Sequence, residues 1–223
     1  MPADKEARPL ASPWKEFLTE LDGMLDEPLE LHCIGGFVFT YFYGLSRTTG
    51  DIDYYTAIPV NLNLDKVAGQ GSPLHTKHGV WLHRVAVANL PEDYATRLTD
   101  MAPGGFNDLR LLVPDPYDCI LSKLERNATK DRDDADYLFR SQRLSAQVLR
   151  DRYKNELRHN LIGNVEWHDK TLDLWIEIFE SQARYYRATL DLYPAKVAVK
   201  ERLPWLPRPL YRHCGNNAPR ASL

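Results

Sequence analysis

IGGFVFTYFYGLSRTTGDID, residues 34–53, joins two short strands through a double glycine and an aromatic run. Just upstream, ELHCI (30–34) is short and apolar and reads as a strand. Gly35 and Gly36 follow it; two glycines there let the backbone approach a ligand and leave amide groups facing it. The period of the run FVFTYFYG leaves strand or helix open, but a helix suits the connectivity better. The positive N-terminal end of such a helix favours phosphate. DIDYYTAI (51–58) alternates like a strand and ends at Pro59. Period two puts Asp51 and Asp53 on one face and turns Ile52 into the core. Two carboxylates on one face hold a hard divalent cation, Mg²⁺ or Mn²⁺, that keeps several waters and bridges substrate phosphates. Arg47, with the hydroxyls of Ser46, Thr48 and Thr49, lies on the loop into that strand, within reach of a phosphate. Alone, a DxD is usually a solvated strand face and a GG a turn. Their order is what carries specificity.

Working outward, residues 1–12 read as a flexible leader. Trp14, Phe17, Leu18, Leu21 and Leu25 recur at helical spacing and predict a helix over 13–25, closed by Pro28. A short helix is expected at 61–68, a loop at GQGSP (69–73), and a strand at 80–88 ending near Pro91. The segment from Leu90 to Met101 reads as a short helix or a turn, and PGG (103–105) as a hairpin or loop. LRLLV (109–113) is a further strand, stopped by Pro114. Helices follow at 116–127, 131–140, 144–158 and 169–188, and a proline-rich arm at 194–223. Strands then helices make an α+β pattern. The expected division is a domain over 13–140 and a helical segment, 141–193, packed on it.

The chain has 223 residues, 43 % hydrophobic and 26 % charged, with net charge −3. These values exclude a globally basic nucleic-acid binder and an acidic disordered chain. Three well-separated cysteines, Cys33, Cys119 and Cys214, argue against a disulfide framework and a structural zinc site. The start of the chain is charged and lacks the apolar run of a signal peptide. The most apolar stretch, 31–43, is too short to span a membrane. The expected location is cytoplasmic, with no membrane partner.

The pattern Ile34-Gly35-Gly36, then Arg47-Thr48-Thr49-Gly50-Asp51-Ile52-Asp53, resembles the DNA polymerase β-type nucleotidyltransferase superfamily. It is most similar to the branch of small bacterial proteins like the AbiEii/MenT toxin nucleotidyltransferases and their uncharacterised relatives. The resemblance continues in PDPYDCILSKLERNATKDRDDADYL (114–138), where Lys123, Lys130-Asp131 and Asp134 match a helix lysine and a K/R-D-x-x-D element. It covers about 30–140, and the helical remainder is only loosely similar. It implies a small mixed nucleotidyltransferase sheet flanked by helices and followed by a helical C-terminal segment. It implies metal-dependent transfer of a nucleoside monophosphate from an NTP to an RNA, possibly tRNA, or a protein acceptor. A toxin role with an antitoxin partner comes with it. Under the resemblance Gly35 and Gly36 cradle the triphosphate, with Arg47, Thr48 and Thr49 beside it. Asp51 and Asp53 hold the metal, Lys123 neutralises phosphate charge, and Asp131 or Asp134 orients a basic group or acts near the acceptor.

Two departures stand out. Many members carry a third metal-binding carboxylate on the following strand. VWLHRVAVAN (80–89) has none, and His83 and Asn89 are its only polar candidates besides Arg84. Gly36 stands where many members have Ser, and offers its amide without a hydroxyl. A catalytically inactive module that binds a nucleotide or a protein is therefore the alternative function.

Blander readings compete at several positions. If 116–136 is one helix, Lys123, Arg126, Asn127, Lys130 and Asp134 form a salt-bridged surface stripe. Asp131 and Asp134 could instead cap a new helix, with Asp133 and Asp136 solvated. His75 and His78 sit in the expected Gly/Ser/Pro loop without an HExxH helix, which disfavours a histidine metal site with His83. Cys33 reads as a buried strand cysteine and Phe37, Phe39, Tyr41, Phe42 and Tyr43 as core. Tyr54 and Tyr55 straddle the two faces of their strand, and one could stack on a base. The segment 196–223 holds six basic residues against Glu201 alone, with Trp205 and Tyr211 interleaved. It reads as a packed arm or a nucleic-acid contact.

Overall fold

Trp14, Phe17, Leu18 and Leu21 lie on one side of helix α1 (Trp14–Asp22), and all four are almost fully buried. Burial of this size stabilises by about 1.5–3 kcal/mol per large apolar side chain. The structure is a computed structural model that describes residues 10–59, 63–86 and 88–192, with side chains through 185. The first nine residues and the arm at 194–223 lie outside the described residues.

α1 is shorter than expected: it stops at Asp22, well before Pro28. Asp22 is used elsewhere. Its carboxylate accepts the backbone N–H groups of Asn107, Asp108 and Leu109 at 2.8–2.9 Å and ties the helix end to the last long strand. Burial alone would raise its pKa, but these three donors hold it below the usual carboxylate range.

Five strands, β1 (Leu29–Ile34), β2 (Asp51–Ile58), β3 (Trp81–Arg84), β4 (Thr99–Asp100) and β5 (Leu109–Val113), form one mixed sheet in the order β3-β2-β1-β5-β4. β1 runs antiparallel to β2 and parallel to β5; β3 runs parallel to β2. One face carries Leu29, Leu31, Cys33, Ile52, Tyr54, Leu82, Leu109, Leu111 and Val113, all buried. The other face carries Glu30, Asp51, Asp53, His83 and Arg110, none of them buried, together with the buried His32, Ile34 and Leu112. Alternation along the strands thus gives an apolar face for the helices and a polar face for chemistry.

The glycine pair opens a helical segment, α2 (Gly35–Phe37), that continues as a π turn over Val38–Phe42. Trp14 of α1 meets the Phe37 ring at 4.9 Å, and Phe37, Phe39 and Tyr43 are core, with Tyr41 and Phe42 packed against them. Next come α3 (Leu64–Ala68) and α4 (Pro73–His78). The expected loop at 69–73 runs into α4, because Ser72 caps it through the His75 N–H and Pro73 fits its first turn. His75 and His78 are therefore helical; His78 pairs with Glu20 of α1, and His75 accepts from the Gly71 N–H. The strand expected over 80–88 is only four residues long, and its pairing with β2 ends at Arg84. The expected helix-or-turn is a 3₁₀ turn over Glu92–Arg97, and the PGG signal lies in the turn between β4 and β5.

α5 (Pro116–Leu121) and α6 (Thr129–Ser141) are separate helices, as expected at 116–127 and 131–140, although α5 ends six residues early; the continuous surface helix over 116–136 does not form. Asn127 adopts a positive φ of 44°, a region Asn tolerates, and its side chain accepts the Trp175 indole N–H at 3.0 Å. Asp131 then reaches back to the Ala128 N–H and starts α6. Asp136, expected to be solvated, is buried and paired with Arg140. α7 (Ala146–Arg152) continues through π and 3₁₀ turns to Asn160, and α8 (Val165–Leu192) brings Leu172, Trp175, Ile176 and Phe179 into the same core as the sheet. No helix among the described residues is long and apolar enough to cross a membrane.

Candidate active site

The site forms where β1 turns into α2. Strand pairing places Ile34 opposite Asp53, Asp53 opposite His83, and Asp51 opposite Trp81. Asp51, Asp53 and His83 therefore share the polar face by backbone register. One ligand atom from each lies within 4.8 Å of those of the other two. The Asp51 carboxylate accepts the Thr49 hydroxyl at 3.0 Å. Asp53 Oδ1 lies 2.8 Å from His83 Nδ1. Its other oxygen, Oδ2, presses on the glycine turn. Gly35 has φ +73°, and a Cβ there would stand 2.2 Å from that oxygen. Only glycine combines this backbone with this contact.

Gly36 faces the other way. A Cβ there would meet Arg47 Nη2 at 2.8 Å and Thr49 Oγ1 at 3.2 Å. The bare backbone lets Arg47 cross the turn and donate to Asp134 Oδ1 at 2.6 Å. Lys123 lies between Asp131 and Asp134, at 3.3 and 3.5 Å, with its ammonium 5.0 Å from the Phe39 ring centroid. Arg126 clasps Asp131 with two nitrogens, at 2.5 and 2.7 Å, while most of its own side chain stays exposed. Burial would raise the Asp131 pKa, yet Arg126 and Lys123 hold it below the ordinary value. The Arg126 guanidinium is pushed up first by its bonds to Asp131 and further by the charges of Asp53 and Asp134.

Gly35, Gly36, Arg47, Thr49, Asp51 and Asp53 converge as the motif suggested, and Arg47 joins them to Lys123, Asp131 and Asp134. Lys123, Asp131 and Asp134 are buried, unlike a salt-bridged surface stripe. Thr48, Ser46 and Lys130 are exposed and take no part in these contacts. Asn89 pairs with Glu125 and does not join the cluster. Sequence reasoning disfavoured His83 in a histidine metal site and assigned Arg126 no role. Both carry signals only in hindsight of pairing: His83 alternates onto the face of Trp81, and Arg126 stands five residues before Asp131.

The model of the family described as nucleotidyltransferase of unknown function (DUF6036) matches residues 14–184. The chain belongs to this family. The match spans α1 through most of α8, so it includes the glycine turn, the carboxylate pair and the Lys123 network. No curated protein and no solved structure matches the chain. The family description names nucleotidyl transfer and leaves substrate, acceptor and any AbiEii/MenT-like specificity unassigned.

Proposed function

We propose that this DUF6036 member transfers a nucleoside monophosphate from an NTP to an acceptor hydroxyl on RNA or protein. One observation carries the proposal: Asp51 and Asp53 stand together on the open sheet face, against a left-handed Gly35 that no side chain could replace without displacing Asp53. The donor set fits a divalent cation. Two carboxylates and an imidazole converge, and the Thr49 hydroxyl fixes one oxygen of Asp51. When bound, such an ion spreads the charge that develops on the transferred phosphoryl group.

The chain's own residues do the rest by positioning. The acceptor hydroxyl gives its proton to solvent and its oxygen bonds to the α-phosphorus as the bond to the bridging oxygen breaks, and pyrophosphate leaves. Gly35 and Gly36 bring bare backbone to the triphosphate at the start of α2. Thr49 orients Asp51, and His83 lies against Asp53. Arg47 lies beside Gly36 of the turn, and Arg126 keeps most of its side chain exposed. Asp134 holds Arg47, and Asp131 holds Arg126. Lys123, buried between those two carboxylates, keeps α6 in register with the turn. Asp131 and Asp134 are therefore orienting groups in this reading.

The test incubates purified protein with each radiolabelled NTP, Mg²⁺ or Mn²⁺, total cell RNA and protein, beside the Asp51→Ala/Asp53→Ala variant. Label moved only by wild type supports the proposal, and its partition between RNA and protein identifies the acceptor class. A toxin role adds a cellular readout: expression arrests growth, and the double variant relieves it. A folded wild type that moves no label from any NTP overturns the proposal in favour of a nucleotide- or protein-binding module.

A further inference from the structure

The reading that Asp51 and Asp53 hold a divalent ion leaves its identity open, and the third donor bears on it. We infer that His83 supplies a nitrogen ligand to that ion, so that the site favours a first-row transition ion such as Mn²⁺ over Mg²⁺.

The placement of His83 is a backbone property. β3 pairs with β2 in parallel register, and His83 stands directly opposite Asp53 on the polar face. Nδ1 of His83 lies 2.8 Å from Asp53 Oδ1. Two adjacent ligands on one octahedral ion, each at about 2.1 Å, stand about 3.0 Å apart. The free protein thus already holds these atoms near the spacing of two neighbouring ligands. Opposite ligands on such an ion stand about 4.2 Å apart. The three-donor cluster, within 4.8 Å throughout, closes onto an ion by small side-chain rotations.

The other donors nearby are committed. His78 is paired with Glu20, His75 takes the Gly71 N–H, and Asn89 pairs with Glu125. Residues 80–89 contain no Asp or Glu. His83 is more than half exposed, so the core does not require its present hydrogen bond.

The chemistry follows from the donor. Mg²⁺ binds oxygen, demands a near-ideal octahedron and sheds water reluctantly. A neutral imidazole suits first-row transition ions, whose affinities climb in the Irving–Williams order. Mn²⁺ accepts carboxylate, water and phosphate oxygens as readily, so the mixed set suits it. An oxygen ligand at position 83 would remove that discrimination.

The test titrates the full chain with Mn²⁺ alone and with Mg²⁺ alone, by calorimetry, for wild type, His83→Ala, His83→Asp and Asp51→Ala/Asp53→Ala. Electron spin-echo spectra of the Mn²⁺-loaded proteins report a directly bound imidazole nitrogen. The expected result is tighter binding of Mn²⁺ than of Mg²⁺, with nitrogen modulation in wild type and none in His83→Ala. The ratio of Mn²⁺ to Mg²⁺ affinity falls at least about tenfold in His83→Ala. His83→Asp keeps both ions and loses the preference. Mn²⁺ bound without nitrogen modulation, or equal losses of both ions in His83→Ala, overturns the inference and leaves His83 as a hydrogen-bond partner of Asp53. In that case the double variant still abolishes binding and the proposed function stands. A double variant that binds like wild type, or a folded wild type that binds neither ion, removes both readings.

Discussion

Replacing Gly35 by alanine separates backbone strain from damage to the site. The left-handed backbone costs an L-residue about 1–2 kcal/mol. Gly79, which ends α4, has the same φ of +73° but open space around its would-be Cβ. Gly79→Ala therefore measures the strain alone. At Gly35 the new methyl would also lie 2.2 Å from Asp53 Oδ2 and 3.0 Å from Asp53 Cβ and Cγ. Ordinary contact begins at 3.4 Å, so the carboxylate must retreat by more than 1 Å. Rotation of the Asp53 side chain cannot relieve the contact at Cβ, so the β1–β2 pair must shift as well. Overpacking of this kind adds about 1–3 kcal/mol. A displacement of about 1 Å at a reacting centre costs on the order of 100-fold in rate. Urea unfolding of both variants, beside nucleotidyl transfer and Mn²⁺ binding, checks the argument. Gly35→Ala should lose more stability than Gly79→Ala and nearly all transfer, while Gly79→Ala keeps its transfer rate. Equal stability losses, or a Gly35→Ala enzyme within a few-fold of wild type, would refute the claim that this glycine makes room for Asp53.

Two further outcomes test the supports of the site. Lys123→Met keeps an unbranched side chain against Phe39 but removes the ammonium from between the buried Asp131 and Asp134. The uncompensated carboxylate charge should cost about 3–5 kcal/mol in chemical denaturation, and a loss below 1 kcal/mol would show that Arg47 and Arg126 suffice. Asp22→Asn tests the tie between α1 and β5. Because the folded pKa of Asp22 lies below its ordinary 3.8, the native state binds fewer protons there than the unfolded chain. Its contribution is complete above about pH 4 and is lost as pH falls through the folded value. Wild type should exceed Asp22→Asn by about 1–3 kcal/mol at neutral pH, with the gap closing in acid. Parallel acid limbs for the two proteins would contradict this.

The double glycine, the alternation of 51–58 and the apolar runs at 30–34 and 109–113 were legible because each is a local pattern. Period two alone placed Asp51 and Asp53 together, and the structure agrees. What escaped depends on contacts distant in sequence. Two helices were expected at 116–127 and 131–140, but α5 ends already at Leu121, ahead of an Asn127 with positive φ that accepts the Trp175 indole N–H from α8. Asp136 sits on a charge-rich segment that reads as solvated, but Arg140 neutralises it as it is buried. α4 was hidden inside turn residues, although Ser72-Pro73 is itself a helix start. His83 was named beside Asn89 as a polar candidate on its strand, and the pairing of β3 with β2 is what sets His83 and not Asn89 opposite Asp53.

The coupling of the two motif stretches rests on one side chain. Nothing in the spacing from residue 47 to residue 134 predicts a contact, yet Arg47 spans it at 2.6 Å. A Cβ at position 36 would begin 2.8 Å from Arg47 Nη2, so the guanidinium would have to shift to make room for it. The glycine turn is thus anchored to α6 through Arg47 and Asp134. Asp134 is in turn held near Lys123, and Lys123 near Asp131, which the exposed Arg126 clasps. A change at any member moves charge at both ends. The site is therefore better described as two carboxylates set in a connected ionic frame than as an isolated DxD.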